Sequence, residues 1–195
     1  MSKTNIEWTG HTWNPLSGCT KVSDGCKNCY AEKMANRLQA MGAKGYENGF
    51  AVTLHPDKLD EPLRRKKPTI YFVCSMGDLF HEDVPFEFIR RVWIIMIEAR
   101  QHTFQVLTKR PERMFEFLST HAPVRAMTGE TYGKDFLPKN IWLGVTAENQ
   151  EQADKRIPIL IDTPAAVRFV SIEPMLGEIN LQKLHRKNSK NPNGD

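Results

Sequence analysis

Three of the four cysteines in the chain lie in one stretch, Gly18-Cys19-Thr20-Lys21-Val22-Ser23-Asp24-Gly25-Cys26-Lys27-Asn28-Cys29-Tyr30-Ala31. Six residues separate Cys19 from Cys26, and two residues separate Cys26 from Cys29. The segment between the first two cysteines is polar and contains a glycine, which is typical of a loop that can bring three sulfur atoms together. A disulfide would use two thiols and leave the third unpaired, so the spacing favours a soft metal centre.

Three thiolates are an incomplete ligand set for most metal centres. Structural zinc takes four protein ligands, and most iron–sulfur clusters are held by four cysteines. A cubane on three cysteines leaves one iron open, and S-adenosylmethionine (SAM) uses such an iron in radical chemistry. Zinc completed by His11, Cys74 or another residue is a second hypothesis. A dithiol redox pair of Cys26 and Cys29, or inert thiols, is the third.

Length and composition predict one domain in a reducing compartment. The 195 residues, of which 40% are hydrophobic, are enough for one substantial core. The first ten residues are polar, and the longest apolar run, at 92–97, is far too short to cross a bilayer. We therefore expect a cytoplasmic protein without a membrane partner, in which clustered cysteines hold metal more often than disulfides.

The positive charge is mild and local. The net charge is +4, and the basic excess is concentrated at 64–67 and in the tail at 183–190. Such runs can meet a phosphate backbone, but a solvated helix end and a loose tail are the simpler interpretation. Charge alone therefore does not identify nucleic acid as a partner.

Short apolar runs alternate with helical patterns along the chain. The run Thr69-Ile70-Tyr71-Phe72-Val73-Cys74 is rich in branched and aromatic residues, as is typical of a buried parallel strand. Strands are predicted at 12–16, 51–54, 69–74, 104–107, 141–145 and 167–172. Helices are predicted at 29–41, 57–65, 86–102, 111–118 and 150–161, the last one broken or shortened by Pro158.

This alternation predicts an α/β fold with a parallel sheet and helices packed outside it. Right-handed crossovers would place successive strands side by side, giving an open or partial (β/α) barrel. An open doubly wound sheet is the alternative, although the chain has no glycine-rich phosphate motif to support it. The predicted domain spans residues 1–181, with an insertion loop at 122–139 and a polar, disordered tail at 182–195.

Polar residues follow the predicted strands, and the carboxyl ends of parallel strands form the site in folds of this kind. We expect these residues to meet around the cysteine loop. They are Ser75 and Asp78 after the third strand, Thr108 and Lys109 after the fourth, Thr146 and Glu148 after the fifth, and Glu173 after the sixth. Arg110 either belongs to this site or caps its strand and pairs with Glu112.

Separated blocks of the chain resemble the phage-associated three-cysteine-motif proteins, a domain of unknown function that is similar to radical SAM enzymes. The resemblance covers roughly residues 5–181. It is carried by Glu7-Trp8-Thr9, Thr12-Trp13-Asn14-Pro15, the cysteine stretch, Ser75-Met76-Gly77-Asp78-Leu79-Phe80-His81, Leu107-Thr108-Lys109-Arg110-Pro111-Glu112-Arg113, Gly144-Val145-Thr146-Ala147-Glu148-Asn149-Gln150 and Ser171-Ile172-Glu173-Pro174-Met175-Leu176-Gly177.

The resemblance implies a partial (β/α)6 barrel of the radical SAM type, with a [4Fe-4S] cluster on Cys19, Cys26 and Cys29. SAM would chelate the open iron through its amino and carboxylate groups. The gap between the first two cysteines is longer than the three residues usual in radical SAM enzymes, which changes the loop. Relatives usually continue with further strands and helices, so we expect this chain to be truncated at its C-terminus.

The resemblance also suggests which strand-end residues hold SAM. Lys109 would neutralise the methionine carboxylate, Ser75 would hydrogen-bond it, and Glu173 would meet a ribose hydroxyl or the ammonium. Asp78 and Glu148 complete the predicted cofactor-binding set. A separate protein would donate the electron, and the phage association makes nucleic acid or a nucleotide the expected substrate. The alternatives are a zinc-binding scaffold that touches nucleic acid and an inactive remnant.

Overall fold

The computed structural model describes residues 2–3, 9–120 and 138–182 of the chain. Strands and helices alternate along these residues, as predicted. The elements are β1 Ser2–Lys3, β2 His11–Trp13, β3 Leu16–Ser17, α1 Tyr30–Ala40, β4 Thr53–Leu54, α2 Glu61–Arg64, β5 Ile70–Val73, α3 Phe86–Glu98, β6 Thr103–Thr108, α4 Pro111–Thr120, β7 Ile141–Thr146, α5 Gln150–Asp162 and β8 Val167–Ser171. The predicted tail from residue 183 onward and the predicted insertion loop at 122–137 lie outside the described residues.

The main sheet has the strand order β1-β2-β5-β6-β7-β8. The strands β2, β5, β6, β7 and β8 are parallel, and β1 is antiparallel at one edge. This confirms the predicted parallel α/β sheet. The strand order never reverses, whereas a doubly wound sheet needs a reversal. Within the described residues β1 and β8 are not paired with each other, so the sheet is open and no closed barrel is formed.

One of the six predicted strands does not belong to the main sheet. The predicted strand at 51–54 forms β4, which pairs antiparallel with β3 in a separate two-stranded sheet. It is only two residues long and half-buried, so it offers little apolar surface to a buried parallel position. The prediction of six parallel strands was therefore wrong, and the parallel sheet has five.

Three helices differ clearly from their predicted lengths. Helix α2 covers only Glu61–Arg64, whereas a helix was predicted at 57–65. Helix α3 ends at Glu98, four residues earlier than predicted, and α5 continues through Pro158 to Asp162. A proline inside a helix costs about 3 kcal/mol. The neighbouring Ile157 and Leu160 are buried in the core, so tertiary packing keeps α5 continuous.

The two faces of the main sheet have different surroundings. On one face the apolar side chains of the central strands β5, β6 and β7 are at most 1% exposed and pack into the core that α3, α4 and α5 complete; they are Tyr71, Val73, Phe104, Val106, Ile141, Leu143 and Val145. Burying each aliphatic or phenylalanine side chain of this set contributes about 1.5–3 kcal/mol. The opposite face is less buried, because Phe72, Leu107, Trp142 and Phe169 are only half-buried. We call this second face the cavity face.

Helix α3 shows why the helix layer forms on one side. Its buried residues recur at spacings of three and four, which gives it one apolar side to place on the sheet. Pro85 precedes its first residue, where a proline is well tolerated. Each helix in the described part of the chain is too short or too polar to cross a lipid bilayer.

Candidate functional site

A cavity of about 520 Å³ opens at the carboxyl ends of β5, β6, β7 and β8. This volume is typical of pockets for small molecules, which measure about 300–1,000 Å³. The cavity is lined by all three clustered cysteines, Cys19, Cys26 and Cys29, and by four of the five predicted cofactor-binding residues, Ser75, Asp78, Lys109 and Glu173. The fifth, Glu148, is not among its lining residues. The predicted convergence of the strand ends on the cysteine loop is therefore observed.

The start of the cysteine loop is fixed by backbone hydrogen bonds. The Gly18 N–H donates to the Met76 carbonyl at 2.9 Å, and the Cys19 N–H donates to the Phe50 carbonyl at 3.2 Å. Gly18 also forms a parallel bridge with Gly77, in the loop that follows β5. The cysteine loop is thus attached directly to the polar turn that carries Ser75 and Asp78.

The middle of the cysteine loop is held by Glu148. Its fully buried carboxylate accepts a hydrogen bond from the Gly25 N–H at 3.3 Å and pairs with Arg156 Nη1 of α5 at 2.8 Å. Burial raises the pKa of Glu148, but the Ser23 hydroxyl and the Arg156 charge outweigh this effect and lower it overall. Glu148 therefore stays ionised and connects the cysteine loop to α5 from behind the cavity.

Arg110 connects the cysteine loop to the strand ends. Its Nη1 donates to Cys19 Sγ at 3.3 Å and to Asp78 Oδ2 at 3.3 Å, and its Nη2 donates to the carbonyl and the hydroxyl of Thr20. Its Nε donates to both carboxylate oxygens of Glu82 at 3.0 Å. Arg110 therefore belongs to the site, and its observed carboxylate partners are Asp78 and Glu82 rather than the predicted Glu112.

Asp78 is the acceptor at the centre of this network. Its carboxylate accepts from the Thr108 hydroxyl at 2.7 and 2.9 Å, from the Lys109 N–H at 3.1 Å and from the Phe80 N–H at 3.0 Å, in addition to Arg110. These bonds use both oxygens, and Asp78 is only 6% exposed. Asp78 joins the ends of β5 and β6 and holds Arg110 in place.

The three remaining predicted residues lie on the cavity wall in different environments. The Ser75 hydroxyl donates to Asn14 Oδ1 at 3.2 Å, so it is oriented from behind by the loop after β2. Lys109 is half-buried directly after β6, and Glu173 is exposed at the rim after β8. The cavity thus offers a hydroxyl, an ammonium and a carboxylate from three separate strands.

The thiols of Cys19, Cys26 and Cys74 differ in how readily they ionise. Burial raises the pKa of Cys19 to about 11, and the Asp78 carboxylate adds to this rise while Arg110 opposes it. The pKa of Cys26 is lowered, because backbone hydrogen bonds at Val22 and Ser23 and the Lys109 charge outweigh its burial. Burial raises the pKa of Cys74 well above its ordinary value.

These differences predict an order of thiol alkylation in the metal-free, reduced protein. Because its pKa is raised, Cys19 is present as a thiolate about a hundredfold less often than an ordinary thiol. A thiolate of higher pKa is more nucleophilic, which offsets part of this difference in rate. We expect iodoacetamide at pH 7.5 to modify Cys19 at least about tenfold more slowly than Cys26, and Cys74 more slowly still. Peptide mass spectrometry over a time course measures the rates, and in urea the difference should vanish. Equal rates for Cys19 and Cys26 in the folded protein would contradict this electrostatic picture.

The donor set suits thiophilic metal chemistry. In residues 9–120 and 138–182 no group of three or more His, Cys, Asp or Glu side chains is already arranged as a metal-binding cluster. The three clustered thiols nevertheless border one cavity together. His11 lies at the start of β2, with its ring 6.1 Å from that of Tyr71, at the opposite end of the strand from the cysteine loop. Cys74 lines the cavity but is also buried in the core.

Several supporting residues were not predicted from the sequence. Thr20, Arg156 and Asn14 each hold a predicted site residue or its loop, yet the sequence assigned none of them a role in the site. Their partners lie 8 to 90 positions away in the chain. The one available signal in the sequence was a charged residue close behind a predicted strand. It identified Arg110 as one of two alternatives, a site residue or a strand cap.

The chain matches one described protein family over almost its whole length. No curated protein and no solved structure matches it significantly. The family described as "Protein of unknown function (DUF5131)" matches residues 3–188, which include the cysteine loop, all five parallel strands and every residue of the candidate site. This chain is therefore a member of the DUF5131 family.

Proposed function

We propose that the chain binds a [4Fe-4S] cluster through Cys19, Cys26 and Cys29, and SAM beside it, for radical chemistry on a further substrate. The observation that carries this proposal is that the three cysteines and the polar strand-end residues border one cavity at the carboxyl ends of four parallel strands. The resemblance to phage-associated three-cysteine-motif proteins and the open parallel sheet are consistent with a partial barrel of the radical SAM type.

The chemistry of the donors fits a three-cysteine cluster. Thiolates are the usual protein ligands of iron–sulfur clusters, and a set of three leaves one iron for another ligand. When bound, these two cofactors supply a one-electron cleavage that yields a species able to abstract a hydrogen atom from a substrate. The electron comes from a separate donor protein.

The protein's own residues would bind, orient and shield the cofactors. The Lys109 ammonium would pair with the SAM carboxylate, and Glu173 would accept from the ammonium or a ribose hydroxyl. Ser75 would hydrogen-bond the carboxylate by turning its hydroxyl away from Asn14 Oδ1. Asp78 and Glu148 act indirectly in this proposal, because their carboxylates are already bonded to Arg110 and Arg156. Apolar residues at the cavity, such as Val22 and Phe50, would exclude water.

Anaerobic reconstitution with iron and sulfide tests the proposal. We expect the wild-type chain to take up about four irons and four sulfides and to gain broad visible absorption, as a cubane on three cysteines requires. Replacing Cys26 by alanine should abolish most of the iron and sulfide uptake and most of the visible absorption. Cys74→Ala is the matched control and should keep the iron. A change in the electron paramagnetic resonance signal of the reduced cluster on addition of SAM would show that SAM binds to an iron of the cluster.

Zinc is the second candidate, because Cys74 lines the same cavity and gives it a fourth thiol. The raised pKa of Cys74 makes this thiol costly to deprotonate for metal binding. A colourless protein that retains one zinc per chain, and loses it in Cys74→Ala as well as in Cys26→Ala, would replace the iron–sulfur proposal by a zinc-binding scaffold.

A further inference from the structure

One nitrogen of Arg110 lies between a carboxylate and a thiol. Arg110 Nη1 donates to Asp78 Oδ2 at 3.3 Å and to Cys19 Sγ at 3.3 Å, and its two hydrogens serve one acceptor each. Arg110 and Asp78 are 5% and 6% exposed, so solvent ions screen these contacts much less than contacts at the surface. A negative charge gained at Cys19 therefore acts directly on the guanidinium.

The guanidinium of Arg110 is held on all its edges. Its Nη2 donates to the Thr20 hydroxyl at 2.8 Å and to the Thr20 carbonyl at 3.2 Å, and its Nε donates to Glu82 at 3.0 Å. The Thr20 hydroxyl also contacts His81 Nε2 at 2.9 Å. A donor that is already fixed in place needs no reorganisation when charge develops on its acceptor. Arg110 is therefore preorganised to stabilise negative charge at Cys19 Sγ.

The donors to Cys26 are of a different kind. Cys26 Sγ is stabilised by backbone hydrogen bonds at Val22 and Ser23 and lies 3.9 Å from the Ser23 hydroxyl. These donors are uncharged, whereas Cys19 accepts from a cation, and charge-assisted hydrogen bonds are about twice as strong as neutral ones. Hydrogen bonds to the sulfurs and the local charge both contribute to the reduction potential of an iron–sulfur cluster. Arg110 is thus placed to act on a metal centre through Cys19.

We propose that Arg110 is a positioning residue of the metal centre, which keeps its hydrogen bond to Cys19 Sγ when this thiol ligates the cluster and thereby raises the cluster's reduction potential. One-electron reduction adds negative charge to the cluster and its sulfurs, so a fixed cationic donor stabilises the reduced form more than the oxidised form. Arg110 also neutralises the buried Asp78 carboxylate, which would otherwise disfavour the added electron. This inference rests on the proposed function and gives Arg110 a role in it.

Redox titration of the reconstituted protein tests this role. The wild type, Arg110→Met and Arg110→Lys are titrated with dithionite and mediator dyes, and electron paramagnetic resonance reports the reduced fraction. We expect Arg110→Met to lower the potential by at least 59 mV, a tenfold change in the one-electron equilibrium. Lysine keeps the charge but not the planar fork, so Arg110→Lys should change this equilibrium at least threefold in the same direction. A smaller change in Arg110→Lys would overturn the inference.

A second variant separates the hydrogen bond from a general loosening of the cysteine loop. Glu148→Gln weakens the contact to the Gly25 N–H and the pair with Arg156, so it loosens the same loop from the other side. It removes a negative charge, so the potential should equal or exceed that of the wild type. A potential lowered as far as in Arg110→Met would overturn the inference. Arg37→Lys, at an exposed position on α1, is the matched arginine control and should keep the wild-type potential.

Iron and sulfide contents distinguish this inference from the proposed function. A wild type that takes up no cluster would overturn both. A wild type with about four irons and four sulfides, but with a potential that Arg110→Met and Arg110→Lys leave unchanged, would overturn this inference alone. We expect Arg110→Lys to keep at least half of the wild-type iron. Complete loss of iron in Arg110→Lys would also overturn the inference, because Arg110 would then be needed to hold the cluster rather than to set its potential.

Discussion

Replacing Arg110 by methionine is expected to lower the free energy of unfolding by about 3–5 kcal/mol, the cost of removing one partner of a buried ion pair. Arg110 is 5% exposed and Asp78 is 6% exposed, so the substitution leaves a buried carboxylate without its counter-charge. It also removes the hydrogen bonds to Cys19 Sγ and to Thr20. Chemical unfolding followed by circular dichroism measures the change.

Two further variants show whether the loss of stability in Arg110→Met comes from the Arg110 network. Arg37→Met removes a guanidinium from an exposed position on α1, and such surface changes stay within about 0.5 kcal/mol. Arg110→Lys keeps the charge but not the planar fork that reaches Cys19, Asp78 and Glu82 together, so we expect it to recover only part of the loss. If Arg110→Met is as stable as Arg37→Met, the network does not hold the cysteine loop.

Replacing Gly18 by alanine should destabilise the protein by about 2–5 kcal/mol. Gly18 has φ +91°, and a non-glycine residue in a left-handed conformation costs about 1–2 kcal/mol. The new Cβ would also lie 2.2 Å from the Ala51 carbonyl oxygen, which is backbone and cannot rotate away. Such overpacking adds about 1–3 kcal/mol. The same unfolding experiment measures the effect.

Gly42 offers a matched control for this prediction. Its φ is +65°, but a Cβ there would have no heavy atom within 4 Å. Gly42→Ala should therefore show only the conformational cost of about 1–2 kcal/mol. The difference between the two variants isolates the close approach of the cysteine loop to Ala51. Equal losses would show that the chain near Gly18 relaxes and that the loop is not tightly held.

The sequence predicted those parts of the fold that depend on local patterns. The buried runs at β5, β6, β7 and β8 are continuous and apolar, and the periodicity of α1 and α3 gave their type and approximate ends. The position of β4 could not be predicted in the same way. Its two strand residues have no pattern strong enough to choose between the main sheet and a pairing with β3, and that choice depends on distant backbone.

The site was predicted as a set of residues but not as a network. Strand ends and cysteine spacing identify Ser75, Lys109 and the three thiols, because parallel strands bring their carboxyl ends together. The roles of Arg110 and Glu148 come from partners in other elements, and no local signal fixes them.

The three clustered cysteines and the cavity face of the sheet come from separate parts of the chain. Cys19, Cys26 and Cys29 all lie in the connection between β2 and β5, whereas Phe72, Gln105 and Trp142 lie on β5, β6 and β7. Side chains on this face can therefore be exchanged without altering any residue that supplies a thiol. A mutant library confined to Phe72, Gln105 and Trp142 would sample new surfaces on the sheet while the cysteine loop keeps its sequence.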